Sequence, residues 1–288
     1  MTPERRNTVT ASPLISVGEL AALQADPELV VLDVRWTLGK TDGRERFLDG
    51  HIPGARFVDL DTELASPPSP ARGRHPLPSR EGFQQTLRAL GVTVGSTIVA
   101  YDQDQSLSAA RLWWLLRNAG FETVRVLDGG LRAWTGAGHP LATGEPGIAA
   151  PSNLVIEWDR LPRVEIDEVG AVPLNGILLD ARTGERYRGE TEPMDPRAGH
   201  IPGALSAPTT GNLGSAGTFL PADELRLRFS GLGIDTSTPV AAYCGSGITA
   251  AHQILALEVA GFSGTLYPGS WSQWSNDPSR PAATGATP

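Results

Sequence analysis

The chain says four things twice, in the same order. VVLDVRW at Val30–Trp36 is answered by ILLDART at Ile177–Thr183, and each is followed by GHIPGA, at Gly50–Ala55 and at Gly199–Ala204. STIVAYD, ending at Asp102, is answered by TPVAAYC, ending at Cys244, and each leads into a helical segment that closes on AGF. LDGGLRAW at Leu127–Trp134 is answered by YPGSWSQW at Tyr267–Trp274. Matched phrases in fixed order, about half a chain apart, mean two copies of one fold rather than a solenoid of many short repeats.

Within each copy, short β-branched runs such as VVLDV and TIVAY are bounded by turn residues and alternate with helical patterns. That alternation predicts an α/β domain with a mostly parallel sheet flanked by helices. The 288 residues, 40% of them hydrophobic, suffice for two packed cores. The first copy is placed at 12–140 and the second at 159–277. Residues 141–158, rich in Gly, Pro, Ala and Ser at their start, read as a linker, and 278–288 as a tail.

A net charge of −8, without a dense basic run, argues against nucleic acid as a partner. The N-terminal residues carry charge but no apolar core of a signal peptide, and no apolar stretch reaches membrane-spanning length. One cysteine cannot form an internal disulfide, so a reducing compartment, the cytoplasm, is expected.

That cysteine, Cys244, stands where a strand (PVAAY) runs out and a helix (ITAAHQILALEVAG) begins, the place where open parallel sheets collect ligands. A thiolate there is stabilised by unpaired backbone N–H groups and by the positive end of the helix dipole. Gly245 and Gly247 let amides converge on the sulfur, and Ser246 and Thr249 add hydroxyl donors. A packing cysteine would be expected on the apolar face of an element, whereas this one reads as part of an exposed turn. The matched residue of the first copy is Asp102, which cannot be a sulfur nucleophile. One copy reads as active and the other as scaffolding.

From about Ser12 to about Asp277 the chain resembles the tandem-domain rhodanese-like sulfurtransferases, the thiosulfate and 3-mercaptopyruvate enzymes. The resemblance rests on both GHIPGA phrases, on LDGGLRAW, on the cysteine loop and on the aspartate in the cysteine's place in the first copy. It implies two tandem rhodanese-like domains, and transfer of a sulfane sulfur from a small-molecule donor to the cysteine. The resulting persulfide is discharged to a thiol or cyanide acceptor, a thioredoxin-like protein among the candidates. The loop Cys244, Gly245, Ser246, Gly247, Ile248, Thr249, Ala250 resembles the 3-mercaptopyruvate type, with Ile for Val. The thiosulfate type carries basic residues there and is the alternative.

By the same resemblance, Arg186 and Arg197 hold the donor's carboxylate, for which a guanidinium fork is suited. Gly245, Gly247, Ile248 and Thr249 line the substrate site, and Ser246, Asp61 and His75 move the proton that the departing enolate needs. Asp59 rivals Asp61, and either could serve as a helix cap. Trp36 either faces the cleft or packs. His51, His200, Asp33 and Asp180 occur in both copies and read as structural, and Trp113 and Trp114 as core. No metal-ligand spacing appears, so no metal and no cofactor are expected. A phosphatase of the Cys-x5-Arg kind is disfavoured because Ala250 stands where the arginine would be. A non-catalytic sulfur-carrier or interaction module remains the third reading.

Overall fold

A computed structural model describes residues 12–147 and 149–288; the charged N-terminal stretch and Ile148 of the expected linker lie outside them. The first sheet comprises β1 (Leu14–Ile15), β2 (Leu29–Asp33), β3 (Arg56–Phe57), β4 (Thr97–Tyr101) and β5 (Val124–Leu127), in the order β1-β5-β4-β2-β3. The second comprises β6 (Ile177–Asp180), β7 (Leu205–Ser206), β8 (Val240–Tyr243) and β9 (Thr265–Leu266), in the order β7-β6-β8-β9. Every pairing is parallel, as the βα alternation predicts. The central strands β2, β4, β6 and β8 are buried on both faces, which is why they read as near-continuous apolar runs.

Strand alternation decides which face meets which core. On β4, Ile98 and Ala100 join one cluster and Val99 and Tyr101 another; on β8, Val240 and Ala242 join the first, while Ala241 and Tyr243 join a third. The first cluster is common to both copies. The helices Leu107–Asn118 and Ile248–Val259 pack on each other within it, with Trp113 and Trp114 fully buried. Truncating either tryptophan would cost about 3–5 kcal/mol. Cys244 continues the alternation of Val240 and Ala242, so its side chain points toward the partner copy.

The segments expected as linker and tail carry structure. Ala142 bridges antiparallel to His51, and Ala283 to His200 in the same manner. The Trp134 indole donates to Pro140 and the Trp274 indole to Pro281, at 2.9 and 2.8 Å. Pro140–Gly144 (PLATG) and Pro281–Gly285 (PAATG) are therefore a fifth matched phrase, each binding back onto the GHIPGA turn of its own copy. Beyond the first of them, Leu154 and Ile156 are buried in the shared core. Gly, Pro and Ala lack apolar periodicity, so the reading by composition missed edge pairing made through backbone groups.

Candidate active site

In both sheets the chain order reverses between the two central strands, and a cavity of about 430 Å³ lies at the carboxyl ends of all four. Its walls are the residues that leave those strands: Trp36 after β2, Asp102–Gln105 after β4, Ala181–Thr183 after β6, and Cys244–Ser246 after β8. Ile248, Thr249, Arg74 and Arg186 complete the part that faces the sulfur.

Cys244 is only 2% exposed. The expected exposed turn is thus corrected: the loop lies at the bottom of a cleft because the first copy covers it. Gly247 N–H lies 3.1 Å and Ser246 N–H 3.4 Å from Sγ, at the N-terminus of a helix of 12 residues. Gly247 has φ +83°, and a Cβ there would collide with the Pro268 carbonyl, so the cradle requires glycine. The YPGSW phrase supports the loop from beneath, with Trp271 N–H donating to Cys244 O and Ser272 N–H to Gly245 O, both at 2.9 Å. In the first copy Leu131 and Arg132 do the same for Asp102 and Gln103, which explains why this phrase repeats. Ser270 departs from its counterpart Gly130: it takes φ +54°, a conformation that strains a non-glycine residue, and its Oγ accepts from Cys244 N–H at 3.1 Å.

A hydrogen-bonded chain joins the copies at this loop. His75 Nδ1 lies 2.8 Å from Ser246 Oγ, and His75 Nε2 lies 3.4 Å from Asp61 Oδ1. Trp36 Nε1 donates to Asp61 Oδ2 at 3.0 Å, and its ring meets that of His75 edge-on with centroids 5.4 Å apart. Asp59, by contrast, accepts from the amides of Asp61 and Thr62 and is the helix cap, which separates the two aspartates by role. Burial pushes His75 down to about 4, and the charges of Arg111 and Arg74 push the same way, so the imidazole is neutral at pH 7. His75 and Asp61 stand behind Ser246, outside the cavity wall.

The cations divide differently from expectation. Arg186 lines the cavity and is braced by Glu192 at 2.6 Å and Asp195 at 3.1 Å. Arg197 does not reach the cavity. Its guanidinium donates to the backbone carbonyls of Trp274, Ser275, Asp277 and Arg280, fixing the end of the last helix, and leaves no fork free for a carboxylate. Arg74, which the sequence reading passed over, lines the cavity in its place and shares Asp195 with Arg186. A Cβ on Gly245 would lie 3.2 Å from Arg74 Nη2 and 3.3 Å from Arg186 Nη1, so both guanidinium groups stand over Gly245, one from each copy. Adjacency to His75 was the one signal for Arg74.

In the first copy the corresponding cradle is filled. The Asp102 carboxylate accepts from the amides of Asp104, Ser106, Ser108 and Ala109 and from Ser108 Oγ. Elsewhere the repeated phrases build matching supports. Arg35 pairs with Asp33 and donates to Gly50 O, as Arg182 pairs with Asp180 and donates to Gly199 O. His51 and His200 donate from Nδ1 to the carbonyls of Phe47 and Tyr187, both at 2.8 Å. Among the described residues no three His, Cys, Asp or Glu side chains gather as a metal site would require.

At the strand ends of the second of two parallel α/β copies, backbone amides converge on a buried cysteine, an environment that favours a thiolate. The rhodanese-like domain family matches residues 16–137 and 166–277, and the chain belongs to that family of tandem-domain sulfurtransferases. SseB of Mycobacterium tuberculosis, named for thiosulfate sulfurtransferase activity, is 44% identical over 275 residues, covering 94% of this chain and 97% of that protein. A Pseudomonas aeruginosa protein named for 3-mercaptopyruvate sulfurtransferase activity is 43% identical over 291 residues, covering 96% and 100%. The crystal structure of SseA from Escherichia coli, described as a 3-mercaptopyruvate sulfotransferase, aligns with a TM-score of 0.81 at 33% identity, covering 91% of this chain and 99% of that one. Among the described residues no helix is long and apolar enough to cross a membrane.

Proposed function

We propose that this sulfurtransferase takes its sulfur from 3-mercaptopyruvate, carries it as a Cys244 persulfide, and passes it to a thiol or to cyanide. The Cys244 thiolate attacks the donor's sulfur, the C–S bond breaks, and its electron pair leaves as the enolate of pyruvate. The proton of the donor thiol remains to be moved onto the enolate carbon, giving pyruvate and the persulfide anion. An acceptor thiolate or cyanide then takes the outer sulfur and restores the Cys244 thiolate.

The observation that carries this reading is the chain Asp61–His75–Ser246. A hydroxyl two residues from the nucleophile, backed by a neutral imidazole, can deliver a proton to a carbanion. Thiosulfate would leave as sulfite and needs no proton at carbon. Arg186, with Gly245, Ile248 and Thr249 around the sulfur, supports binding of the keto acid's carboxylate. Arg74 supports a second reading: two cations over Gly245 also suit the doubly charged thiosulfate. The first copy is proposed to be non-catalytic, its cradle occupied by Asp102. A thioredoxin-like protein in the cytoplasm is a fitting acceptor for a sulfur held on a lone thiol.

The deciding experiment is kcat/KM for purified protein with each donor, using a thiol and cyanide as acceptors. A preference for thiosulfate of about tenfold or more would overturn the donor assignment. Mass spectrometry after donor treatment should find one added sulfur on the Cys244 peptide; its absence with both donors would favour a carrier or interaction module.

A further inference from the structure

Arg111 poses a problem of charge. It lies within the first copy's helix Leu107–Asn118 with no exposed surface, and among the described residues it has no carboxylate partner. Arg35 and Arg182, comparably buried, each have one, Asp33 and Asp180. All of Arg111's hydrogen bonds go to carbonyls. Nη2 donates to His75 O at 3.0 Å and to Leu64 O at 3.3 Å, and Nη1 donates across the copy boundary to Gly247 O at 3.2 Å.

Gly247 completes a connection. Its N–H points at Cys244 Sγ at 3.1 Å and its carbonyl receives Arg111, so the buried cation stands two hydrogen bonds from the sulfur through one residue. A guanidinium without a counter-charge in a dry interior is costly, and carbonyl dipoles offset only part of that cost. The anion of the thiolate or persulfide supplies the missing charge. We propose that Arg111 is the counter-cation of the Cys244 sulfur, a positioning residue by which the copy without a cysteine fixes the charge and place of the nucleophile in the other.

One cation then has two matched effects. It favours an anion at sulfur and opposes a second cation on His75, whose own carbonyl it holds. Burial pushes Arg111 down to about 10, still charged at neutral pH, and the Cys244 sulfur is the group that raises it. The charged groups lining the sulfur's cavity are Arg74, Arg182, Arg186, Asp102 and Asp104, with His75 and Asp61 behind Ser246 and Arg111 behind Gly247. Arg182 is matched by Asp180, and Arg74 and Arg186 by Asp195 and Glu192, which leaves Arg111 as the unmatched positive charge.

The inference rests on Cys244 as the reacting sulfur and not on the choice of donor. Because the chain has one cysteine, the rate of iodoacetamide alkylation against pH reports Cys244 alone and needs no donor. In Arg111→Gln and Arg111→Met the alkylation midpoint should rise by about one pH unit or more, tenfold in thiolate fraction at pH below the midpoint. Arg111→Lys, which keeps the charge, should stay nearer the parent. Folded neutral variants with an unchanged midpoint would overturn the proposal, and so would a lysine variant shifted as far as the neutral ones. If every neutral variant fails to fold while Arg111→Lys folds with reduced thermal stability, the residue is structural and the proposal falls.

Discussion

His75 of the first copy and Ser246 of the second meet at 2.8 Å, though 171 residues separate them in the chain. Neither copy alone can assemble this contact, so the proposed proton path requires both. If it serves the enolate, Ser246→Ala and His75→Gln should lower kcat with 3-mercaptopyruvate by about 10²–10⁴. With thiosulfate the loss should stay within about tenfold. Equal losses with both donors would mean that the contact only holds the loop in place.

Acid should weaken the fold through buried imidazoles. His75 and His252 are pushed down to about 4 and about 3, in both cases chiefly by burial. Between the ordinary histidine value of about 6.5 and those lowered values, the unfolded chain binds protons that the folded chain refuses, so stability falls as pH drops through that window and is fully present above it. Denaturant melts at pH 7.5 and pH 5.0 should differ by up to about 2 kcal/mol per histidine. His252→Gln should shrink that difference.

The two arginines named from sequence should part company under mutation. Arg186→Gln is expected to raise KM for the donor by about tenfold or more, since it removes a cation from the cavity. Arg197→Gln should leave kcat/KM within a few fold and instead cost about 2–4 kcal/mol of stability, because four backbone carbonyls lose their donor. A Tm unchanged in Arg197→Gln would contradict this division.

Removing the terminal segment should be felt. Deleting residues 281–288 takes away the bridge from Ala283 to His200 and the acceptor of the Trp274 indole. A fall in Tm of several degrees is expected, with Trp274 fluorescence shifting toward that of an exposed indole. A truncated chain that melts like the full one would show the pairing to be dispensable.

Much of this was legible beforehand because it depends on local pattern. The repeat announced two α/β copies, and strand-then-glycine-then-helix placed Cys244 at the sheet's carboxyl edge. Asp61, His75 and Ser246 came from family resemblance, and the structure brings them together. What escaped depends on contacts distant in the chain. The direction of Arg197 is set by the carbonyls at the end of the last helix, the use of Arg74 by a fold that lays the first copy over Gly245, and the role of Ser270 by its hydroxyl in a strained turn. The fifth matched phrase was invisible because backbone pairing needs no particular side chains.

The apolar cluster shared by the two copies bears on how the enzyme fails. Helices Leu107–Asn118 and Ile248–Val259 are each other's packing surface, so neither copy can open without baring the other. The pair should therefore melt as one cooperative unit, with catalytic activity and secondary structure lost on the same curve. A chain cut between the copies would bare that shared apolar surface on both fragments, and on the proposed mechanism an acceptor must enter an intact cleft to reach Cys244.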